Sequence, residues 1–571
     1  MNKLFTKWAD KIHTTEYPRP QMARNSFQSL DGKWQYIIQK GDLSFLPDDI
    51  KEFDGEILVP FSPESILSGV EKTLKYDEVL VYFKKFIVSE DKPVALLHFG
   101  AVDYECKVYI NNHLAGGHIG GYTPFEIDIS KFIIKDKENT ICVCVTDPSD
   151  TMPISRGKQK TANGGIWYTP TSGIWQSVWI EYLPKQYIKS LKITPHFDDK
   201  SVNIKVNTNT TDSLFKVLFE DKEYIGKDGE IDICLDNVKE WSPQSPYLYK
   251  FDVLYKDDKV SSYFAMRKFS VGKRNDGKHC FMLNNKPYFM TGLLDQGYWS
   301  DGLYTAPSDE AMVYDIMLAK ECGFNTLRKH IKIEPLRWYY HCDRLGIIVW
   351  QDFVNGGGKY NPFAILLLPN IGIHIKDNHY GFYSRKDKRG RELYYQEMQE
   401  VVDTLYNTPS VGLWTVFNEG WGQFDSKKVS DYLRTLDNTR IIDETSGWSD
   451  QGASIKSIHK YFVKFKMPKR EKRPVILSEF GGYSMSEEGH SYSDKIFGYA
   501  IFKNKEKLNT AIAKLWQKEL MPAKIKGLCA CIYTQLSDVQ EEVNGLVSYD
   551  REIVKVDKDM LKAFNEDLCE I

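Results

Sequence analysis

Residues 413–421, Leu-Trp-Thr-Val-Phe-Asn-Glu-Gly-Trp, decide how the rest of this chain is interpreted. A short apolar run rich in aromatic and β-branched residues is typical of a buried strand, and this one ends at Asn418 and Glu419, just before a glycine. Residues 474–482, Pro-Val-Ile-Leu-Ser-Glu-Phe-Gly-Gly, have the same build around Glu479. Two apolar strands that each end in a glutamate and a glycine predict a parallel barrel. Its chemistry is expected at the C-terminal mouth, where both carboxylates would lie.

The length and composition of the chain indicate a multidomain globular protein. A chain of 571 residues is too long for a single core and predicts two to four domains. Its hydrophobic share of 42% and charged share of 27% are ordinary for such proteins. The formal net charge of −3 indicates neither a nucleic-acid partner nor an anionic membrane surface. The lysine-rich stretch Lys464–Lys472 is interpreted as a solvated loop.

Cysteines and targeting signals suggest neither a metal site nor export. The ten cysteines include no pair with zinc-ligand spacing, so they are interpreted as small apolar fillers and no metal is expected. The N-terminal segment Met1–Arg24 is polar and mixed in charge, without the apolar stretch of a signal peptide. No later run of 18 apolar residues suggests a membrane span. A cytoplasmic protein is therefore expected.

Strand patterns predict a β-sandwich over residues 1–183. Short alternating runs are separated by turn residues such as Asn111 and Asn112. The glycine-rich stretch Gly116–Gly121 lacks the lysine and the following helix of a phosphate loop, so it is interpreted as an edge turn. Gly173–Ile180 is expected to form the final strand. The other predicted strands are Gly32–Tyr36, Leu80–Phe83, Ala95–Phe99, Lys107–Ile110 and Phe125–Ile129.

Two further domains follow. Residues 184–272 contain short alternating strands and no helical pattern, which fits an immunoglobulin-like β-sandwich that acts as a spacer. From residue 273 to 571, strands alternate with helices such as Asp309–Cys322, Glu334–Leu345, Glu392–Tyr406 and Lys555–Leu568. Eight such units in about 300 residues predict a TIM (β/α)8 barrel. The predicted barrel strands are Tyr288–Leu293, Asn325–Arg328, Ile347–Gln351, Gly412–Phe417, Arg440–Asp443, Ser457–His459, Val475–Ser478 and Leu528–Tyr533.

A pair of carboxylates at one barrel mouth suits glycoside hydrolysis. One acid must protonate the departing oxygen while a second carboxylate attacks the anomeric carbon or activates water. Burial and a neighbouring negative charge supply the pKa difference that these two roles require. The alternative is that Glu419 and Glu479 are merely ion-paired strand ends. Asn418 favours the chemical interpretation, because an amide at a strand end can bond the sugar 2-hydroxyl.

The chain resembles glycoside hydrolase family 2, which contains β-galactosidases, β-glucuronidases and β-mannosidases. The resemblance extends over all three predicted domains and implies a jelly-roll-like first sandwich. It rests on a combination of motifs, each weak alone. They are Tyr17–Pro20, Phe99–Asp103, Ser172–Trp175, Asn325–Arg328 with His330, Cys342–Gly346, Val349–Trp350, Asn418–Glu419, His459 with Tyr461, and Ser478–Gly481.

The resemblance implies a role for each matching residue. Glu419 would be the general acid/base and Glu479 the nucleophile of a retaining enzyme. Arg328 would orient the nucleophile and keep it ionised. Further substrate contacts are expected from side chains at other strand ends: His330, His459, Tyr461, Trp448 and Tyr483. For Trp448 and Tyr483, a stacking or hydrogen-bonding role and mere packing are both left open.

Two departures from the family pattern concern the substrate. Galactosidases and glucuronidases of the family place an aspartate that reaches into the sugar pocket six residues before the glycine that is Gly173 here, and this chain has Trp167 there. Trp167 could close the sugar pocket by stacking or simply pack against the barrel. Glucuronidases also carry an Asn-x-Lys element for the sugar carboxylate, whereas residues 541–545 read Glu-Glu-Val-Asn-Gly. Two acids and no lysine favour a neutral sugar, galactose by analogy with the family. The hydrogen bonds to that sugar are then expected from Gln535, Asp538 and Asn544.

The primary hypothesis is therefore a retaining exo-β-glycosidase of the β-galactosidase type that acts on a small oligosaccharide or glycoside. A β-glucuronidase or another β-glycosidase of the family is the nearest alternative. A catalytically silent carbohydrate-binding protein is the alternative of another class, and a transglycosylase remains open. No cofactor is expected, and a homo-oligomer is left open.

Overall fold

A computed structural model describes residues 3–11, 16–211, 214–368, 373 and 375–570. The outermost predicted domain limits, residues 1 and 571, lie outside the described residues. The described part contains seven α-helices and many short strands in three successive arrangements. The α-helices are Asp309–Glu321, Leu336–Leu345, Lys388–Leu405, Ser426–Leu436, Lys505–Leu515, Met521–Ile525 and Lys558–Cys569.

The first arrangement is a sandwich of a four-stranded and a six-stranded antiparallel sheet, in the orders β1-β12-β5-β9 and β3-β2-β4-β10-β7-β8. A two-stranded ribbon pairs β11 with β6. The apolar faces of the two sheets meet in one buried cluster. The strands are β1 Phe27–Ser29, β2 Gly32–Lys40, β3 Gly55–Val59, β4 Glu78–Ile87, β5 Val94–Phe99, β6 Val102–Asp103, β7 Glu105–Ile110, β8 His113–Ile119, β9 Phe125–Asp128, β10 Glu138–Thr146, β11 Gly173–Ile174 and β12 Val178–Leu183.

Two predictions for this sandwich are wrong. Most of the glycine-rich stretch Gly116–Gly121 lies in the edge strand β8 and not in a turn, because glycine permits a close strand approach there. A Cβ on Gly117 would come within 2.4 Å of the Cys106 carbonyl oxygen. The predicted final strand Gly173–Ile180 is two strands, β11 and β12, which pair with different sheets.

The second arrangement is a smaller sandwich with its own core. Its sheets have the orders β13-β14-β17 and β16-β15-β18-β19, and a three-stranded sheet β20-β21-β22 leads on to the barrel. The strands are β13 Ile188–His196, β14 Ser201–Thr208, β15 Phe215–Phe219, β16 Lys222–Gly226, β17 Glu230–Cys234, β18 Tyr249–Tyr255, β19 Asp258–Phe264, β20 Phe269–Lys273, β21 His279–Leu283 and β22 Lys286–Pro287.

The third arrangement is a parallel eight-stranded sheet in the order β27-β26-β25-β24-β23-β32-β29-β28. Its end strands β27 and β28 also approach each other, so the barrel is nearly closed. The predicted TIM-like architecture is therefore confirmed. The strands are β23 Met290–Asp295, β24 Thr326–Lys329, β25 Ile348–Asp352, β26 Val411–Asn418, β27 Ile441–Ser446, β28 Lys456–Lys460, β29 Val475–Gly481 and β32 Leu528–Thr534, with the small pair β30 Tyr483–Ser484 and β31 Ala500–Ile501 outside the barrel.

Element limits differ from the predictions by a few residues. The third helix begins at Lys388, before the predicted Glu392, because Asp387 caps it by accepting a hydrogen bond from the Gly390 amide. The second begins at Leu336 and not at Glu334, because Pro335 precedes it as the N-cap residue. Among the described residues, no helix is long and apolar enough to cross a membrane.

The first sandwich packs directly against the barrel. Tyr122, Tyr168 and Trp175 belong to the same buried cluster as the barrel residues Trp414 and Phe417. Backbone hydrogen bonds of 3.1 Å and 2.9 Å join the amides of residues 156 and 157 to the carbonyl of residue 355, which follows β25. The loop after residue 154 is thereby positioned at the barrel mouth.

Candidate active site

The two predicted carboxylates meet at the C-terminal end of the barrel. Glu419 directly follows β26, and Glu479 lies near the end of β29. One carboxylate oxygen of each, together with a nitrogen of His459, lies within 4.8 Å of the others. Parallel strands that end at the same mouth bring side chains 60 positions apart in sequence into one site. Carboxylates roughly 5–5.5 Å apart suit double displacement, whereas roughly 6.5–9.5 Å is needed to fit an attacking water.

Positively charged and hydrogen-bonding groups surround Glu479. Arg328 Nη1 donates to its Oε1 at 3.0 Å, and the Tyr461 hydroxyl donates to Oε2. His459 Nδ1 lies 3.4 Å from Oε2. Burial alone would raise the pKa of this carboxyl, but the neighbouring His459 and Arg328 charges outweigh it and lower the pKa to about 2. Glu479 is therefore held in its ionised form near neutral pH.

Arg328 connects the ends of several strands. Its side chain is fully buried and donates twice to Asp352, each time at 3.0 Å. It also donates to Asn418 Oδ1 at 2.8 Å and to the Ser478 carbonyl at 3.1 Å. The two bonds to Asp352 form a bidentate pair, which fixes the plane of the guanidinium group. The Nη1 that faces Glu479 is thereby held in one position.

Glu419 has a different environment. Its Oε1 lies 2.8 Å from His459 Nδ1, and its Oε2 accepts a hydrogen bond of 3.1 Å from Trp421 Nε1. The other ring nitrogen of His459 lies 3.0 Å from Ser446 Oγ, which orients the imidazole between the two carboxylates. Glu419 has φ of 54°, a left-handed conformation that is uncommon outside glycine. No arginine or lysine of the described residues forms an ion pair with it.

Three buried donors around the carboxylates have no hydrogen-bond partner among the described residues. They are Asn418 Nδ2, His330 Nε2 and Trp448 Nε1. Asn418 and His330 are held from behind, through Arg328 and Asp352 respectively. Because buried polar groups are normally satisfied, these three unpaired donors are candidates for hydrogen bonds to a substrate.

The predicted sugar-binding residues after β32 form hydrogen bonds within the protein. Asp538 Oδ1 accepts from Lys555 Nζ at 2.6 Å and from the Gly545 amide at 2.8 Å, so this buried carboxylate serves the protein interior. Gln535 donates to Asn544 at 2.7 Å, and Asn544 donates to Glu542. The amide NH₂ groups of both residues therefore have partners within the protein. Only Gln535 Oε1 of this group lacks a partner among the described residues. The bonds from Lys555 and Gly545 engage Oδ1 of Asp538, and a bond from this residue to the sugar stays a prediction.

Tyr483 is not part of the cluster around the carboxylates. It lies in β30 outside the barrel, and its ring packs on Phe502 with centroids 5.3 Å apart. No hydrogen bond or ring contact joins it to Glu419 or Glu479 among the described residues. Of the two roles left open for this tyrosine, packing is the one that the structure supports.

Trp167 reaches the barrel mouth from the first domain. Its ring stacks on Tyr360 with centroids 5.6 Å apart and meets Trp421 edge-on at 5.4 Å. Trp421 is the residue that donates to Glu419. Trp167 thus contacts the group that touches one carboxylate, and no sequence spacing predicts that contact.

Several neighbours of the carboxylates are not predicted by the sequence patterns. Asp352 is the last residue of β25, and Glu479 lies near the end of β29. The pattern of an acid at the end of a strand could therefore also have identified Asp352, as a partner for Arg328. Trp421 follows Glu419 by two positions, and this proximity is the signal that could have found it. Tyr360 and Lys158 lie in loops, where the sequence gives no signal for their position.

The three groups Glu419, His459 and Glu479 have a spacing that suits a metal ion. However, Arg328 already places a positive charge 3.0 Å from Glu479, and Trp421 occupies the second oxygen of Glu419. A divalent cation there would meet an adjacent guanidinium. The described geometry therefore fits acid–base chemistry better than metal binding.

A parallel barrel with two close, buried carboxylates at its mouth is the arrangement that glycoside hydrolases use. The chain belongs to glycosyl hydrolase family 2. The family's TIM barrel domain matches residues 276–558, its sugar binding domain matches residues 65–184, and a third family model, described as glycosyl hydrolases family 2, matches residues 186–267.

Relatives carry two different activities in their names. A β-glucuronidase of Streptococcus agalactiae is 24% identical over 71% of this chain and 68% of its own length. A β-galactosidase of Streptococcus thermophilus is 22% identical over 84% of this chain, which spans about half (48%) of that relative. Among solved structures, a β-D-glucuronidase of Dictyoglomus thermophilum shares 20% identity with a TM-score of 0.72, covering 97% of this chain and 99% of that one. A β-galacturonidase of Eisenbergiella tayi shares 16% identity with a TM-score of 0.71, at 97% and 99% coverage. These comparisons support a family β-glycosidase without selecting its sugar.

Proposed function

We propose that the protein is a retaining exo-β-glycosidase that releases a terminal β-linked sugar by double displacement. The observation that carries this proposal is the approach of the two carboxylates to within 4.8 Å in unlike surroundings. Glu479, ionised beside Arg328, attacks the anomeric carbon while Glu419 donates its proton to the leaving oxygen. Water then enters, Glu419 removes its proton, and the glycosyl ester at Glu479 is hydrolysed with net retention.

The unpaired donors have roles in this sequence of steps. Asn418 Nδ2 is placed to bond the 2-hydroxyl, a contact that strengthens in the transition state. His330 Nε2 and Trp448 Nε1 are further donors to sugar hydroxyls. His459, between both carboxylates, keeps their separation and positions the acid. Tyr461 stabilises Glu479 as a carboxylate before attack and after release.

The stereochemistry of the first product tests the mechanism. Proton NMR of the hydrolysis of an aryl β-glycoside is expected to show the β-anomer of the free sugar first, followed by mutarotation. A first product of α configuration would refute double displacement. Absence of turnover on galactoside, glucuronide, mannoside, glucoside and arabinoside would favour the silent carbohydrate-binding protein.

For the terminal sugar we propose galactose or a closely similar neutral sugar. The support is that residues 541–544 contain no lysine that could pair with a uronate. The acids of this stretch are engaged elsewhere: Glu542 accepts from Tyr168 and Asn544, and Glu541 accepts from the Gly165 amide at 2.9 Å. The predicted repulsion of a uronate by these acids is therefore weaker than their number suggests.

A uronic acid is the second candidate, and Lys158 is the observation that favours it. Lys158 follows Gly157, where a Cβ would lie 3.0 Å from the carbonyl oxygen of Ile331, the neighbour of His330. The Lys158 side chain is half-buried and forms no ion pair among the described residues. Burial and then the Lys158 charge lower the pKa of His330, and the same charge helps to lower that of Glu479. A cation so close to the sugar-binding donors suits a carboxylate at the sugar C6.

The panel of aryl glycosides separates these candidates. A neutral-sugar enzyme is expected to show kcat/KM for the galactoside at least about tenfold above that for the glucuronide, because a missing charge-assisted contact costs roughly 2–4 kcal/mol. The reverse preference, lost in Lys158→Met but kept in the control Lys137→Met, at an exposed lysine of the same domain, would establish the uronic acid instead. The cytoplasmic location stays a prediction, and a homo-oligomer stays open.

A further inference from the structure

A row of buried hydroxyl groups leads from His459 to Asp443. Nε2 of His459 lies 3.0 Å from Ser446 Oγ, and Ser457 Oγ lies 3.4 Å from that same oxygen. Ser457 Oγ is also 2.8 Å from Asp443 Oδ2, and Ser478 Oγ lies 2.7 Å from it on another side. All of these side chains are buried. Asp443 lies three positions before the last residue of β27, so the row runs from the barrel mouth into the barrel.

The Asp443 carboxylate has few groups that stabilise its charge. Its Oδ2 accepts from Ser457, while Oδ1 has no hydrogen-bond partner in the described part of the chain. Burial raises the pKa of this carboxyl to about 6. Its charged neighbours from other strands are Arg328 of β24, Asp352 of β25 and His459 of β28, whereas the adjacent acid of β27, Glu444, bonds Arg434 of the neighbouring helix.

The charged groups on the other side of His459 are the two carboxylates of the site. Its Nδ1 lies 2.8 Å from Glu419 Oε1 and 3.4 Å from Glu479 Oε2. The second of these oxygens also accepts from the Tyr461 hydroxyl. A positive charge on His459 therefore acts on both carboxylates, and Asp443 is the acid at the far end of the hydroxyl row.

Ser457 has a single proton, so its two bonds toward Asp443 and Ser446 exclude each other. When Asp443 is ionised, Ser457 donates to it. Ser446 Oγ is then free to accept from a protonated Nε2 of His459. When Asp443 carries a proton, it donates to Ser457, and Ser457 turns to Ser446. Ser446 in turn donates to Nε2 of a neutral imidazole. One proton is thus held either by His459 or by Asp443, and the charges of the pair sum to zero in both cases.

We propose that Asp443 is a positioning residue that controls the charge of His459 through the two serines between them. A positive His459 favours the ionised form of each carboxylate that it touches. An ionised Asp443 therefore makes Glu419 a stronger acid for the first step of the reaction. This inference rests on the proposed retaining glycosidase activity and adds to it a buried residue that acts without touching the substrate.

The pH dependence of Asp443→Asn tests this role. The amide of the asparagine donates to Ser457 at every pH, so the variant imitates the protonated aspartate and favours neutral His459. The basic limb of kcat/KM, measured on an aryl β-glycoside with a poor leaving group, is expected to move up by about one pH unit. A negative charge acting on Glu419 through space alone has the opposite effect, because its removal would ease the ionisation of Glu419 and move the limb down.

Cutting the row at Ser446 separates its effect from the charge of Asp443. Ser446→Ala leaves Asp443 and its bond to Ser457 in place but removes the partner of His459 Nε2. The basic limb is expected to move up in this variant as well, by a similar amount. Ser446→Thr keeps the hydroxyl and is expected to return the limb toward its wild-type position.

Asp343→Asn is the matched control. Asp343 is also fully buried, and burial raises the pKa of its carboxyl to about 6 as well. It lies in the helix Leu336–Leu345 and accepts from the Tyr263 hydroxyl and the Ser410 amide, both at 2.8 Å, away from the hydroxyl row. This variant is expected to leave the pH profile unchanged.

NMR of protein labelled with ¹⁵N-histidine measures the charge of His459 without turnover. Its signal is assigned by its absence from His459→Gln, and His459 is expected to lose its charge at a lower pH in Asp443→Asn and Ser446→Ala than in wild type. An unchanged titration of His459, or a basic limb that stays in place or moves down, would overturn the proposal. If thermal unfolding shows that Asp443→Asn is misfolded, Ser446→Ala decides the question. A wild-type protein that hydrolyses no glycoside would refute the proposed function, and the NMR titrations would still decide whether Asp443 controls His459.

Discussion

Replacing Glu479 with glutamine is the most direct test of the proposed mechanism. The amide occupies nearly the same volume but cannot form a glycosyl ester, so the two-step route is closed. Removal of a nucleophile lowers kcat by about 10⁴- to 10⁶-fold in enzymes where it has been isolated. A loss of that size is expected here.

The structure also predicts that this variant folds. Arg328 makes five side-chain hydrogen bonds, and only one of them goes to Glu479. Asp352 still neutralises the guanidinium after the change, and the glutamine oxygen can still accept from Nη1. The stability change is therefore expected to stay within about 2 kcal/mol, the range for one charge-assisted hydrogen bond.

The assay combines turnover with covalent trapping. Rates are measured on an aryl β-glycoside with a good leaving group, and a 2-deoxy-2-fluoro glycoside is used to label the nucleophile for mass spectrometry. Glu444→Gln is the matched control, because Glu444 is also a buried barrel glutamate paired to an arginine, Arg434, at 2.7 Å. The control is expected to keep activity within about twofold. Retention of more than a few per cent of activity by Glu479→Gln, or a label on another residue, would refute the assignment.

Three further outcomes follow from the same geometry. Glu419→Ala is expected to be impaired least on substrates with good leaving groups, and added azide should restore turnover and yield a β-glycosyl azide; no change in rate or product with azide would remove its acid/base role. Because the pKa of Glu479 is lowered to about 2 from an ordinary 4.5, its ionisation stabilises the fold above pH 4.5 and this contribution disappears as pH falls toward 2. The stability advantage of wild type over Glu479→Gln, measured by urea unfolding, should therefore shrink by about 2 kcal/mol between pH 5 and pH 3; a constant difference would contradict this. Asp352→Asn breaks a buried pair with Arg328 and should destabilise the protein by about 3–5 kcal/mol, whereas Asp91→Asn, at an exposed ion pair, should leave the stability essentially unchanged.

The sequence is sufficient to predict the fold and the centre of the site. The strands that carry Glu419 and Glu479 are continuous apolar runs, and such runs are characteristic of parallel strands buried on both faces. Every one of the eight predicted barrel strands overlaps an observed one, and limits shifted mainly where a cap residue decided the helix start. The position of a glutamate at the end of each apolar run is therefore enough to identify the two carboxylates from the sequence.

The outer parts of the site are harder to predict because they depend on contacts between distant loops. Asp538 has the sequence position of a ligand-binding residue, but its carboxylate is paired with Lys555, which lies 17 residues further along the chain. In the sequence, Trp167 is notable only because relatives have an aspartate at this position. Its neighbour Tyr360 lies in another domain. Whether a side chain is free to bind a ligand depends on its partners in the folded protein. The periodicity of the sequence contains no information about these partners.

The hydrogen bonds of Arg328 also bear on how the barrel folds. Its partners Asp352, Asn418 and Glu479 lie 24, 90 and 151 residues further along the chain. Contacts over such separations form late, because a long stretch of chain must be ordered before they add stability. A barrel half ending before β29 would hold the Arg328–Asp352 pair without Glu479. Catalytic competence should therefore appear only with the last cooperative step of refolding, after most secondary structure has already been gained.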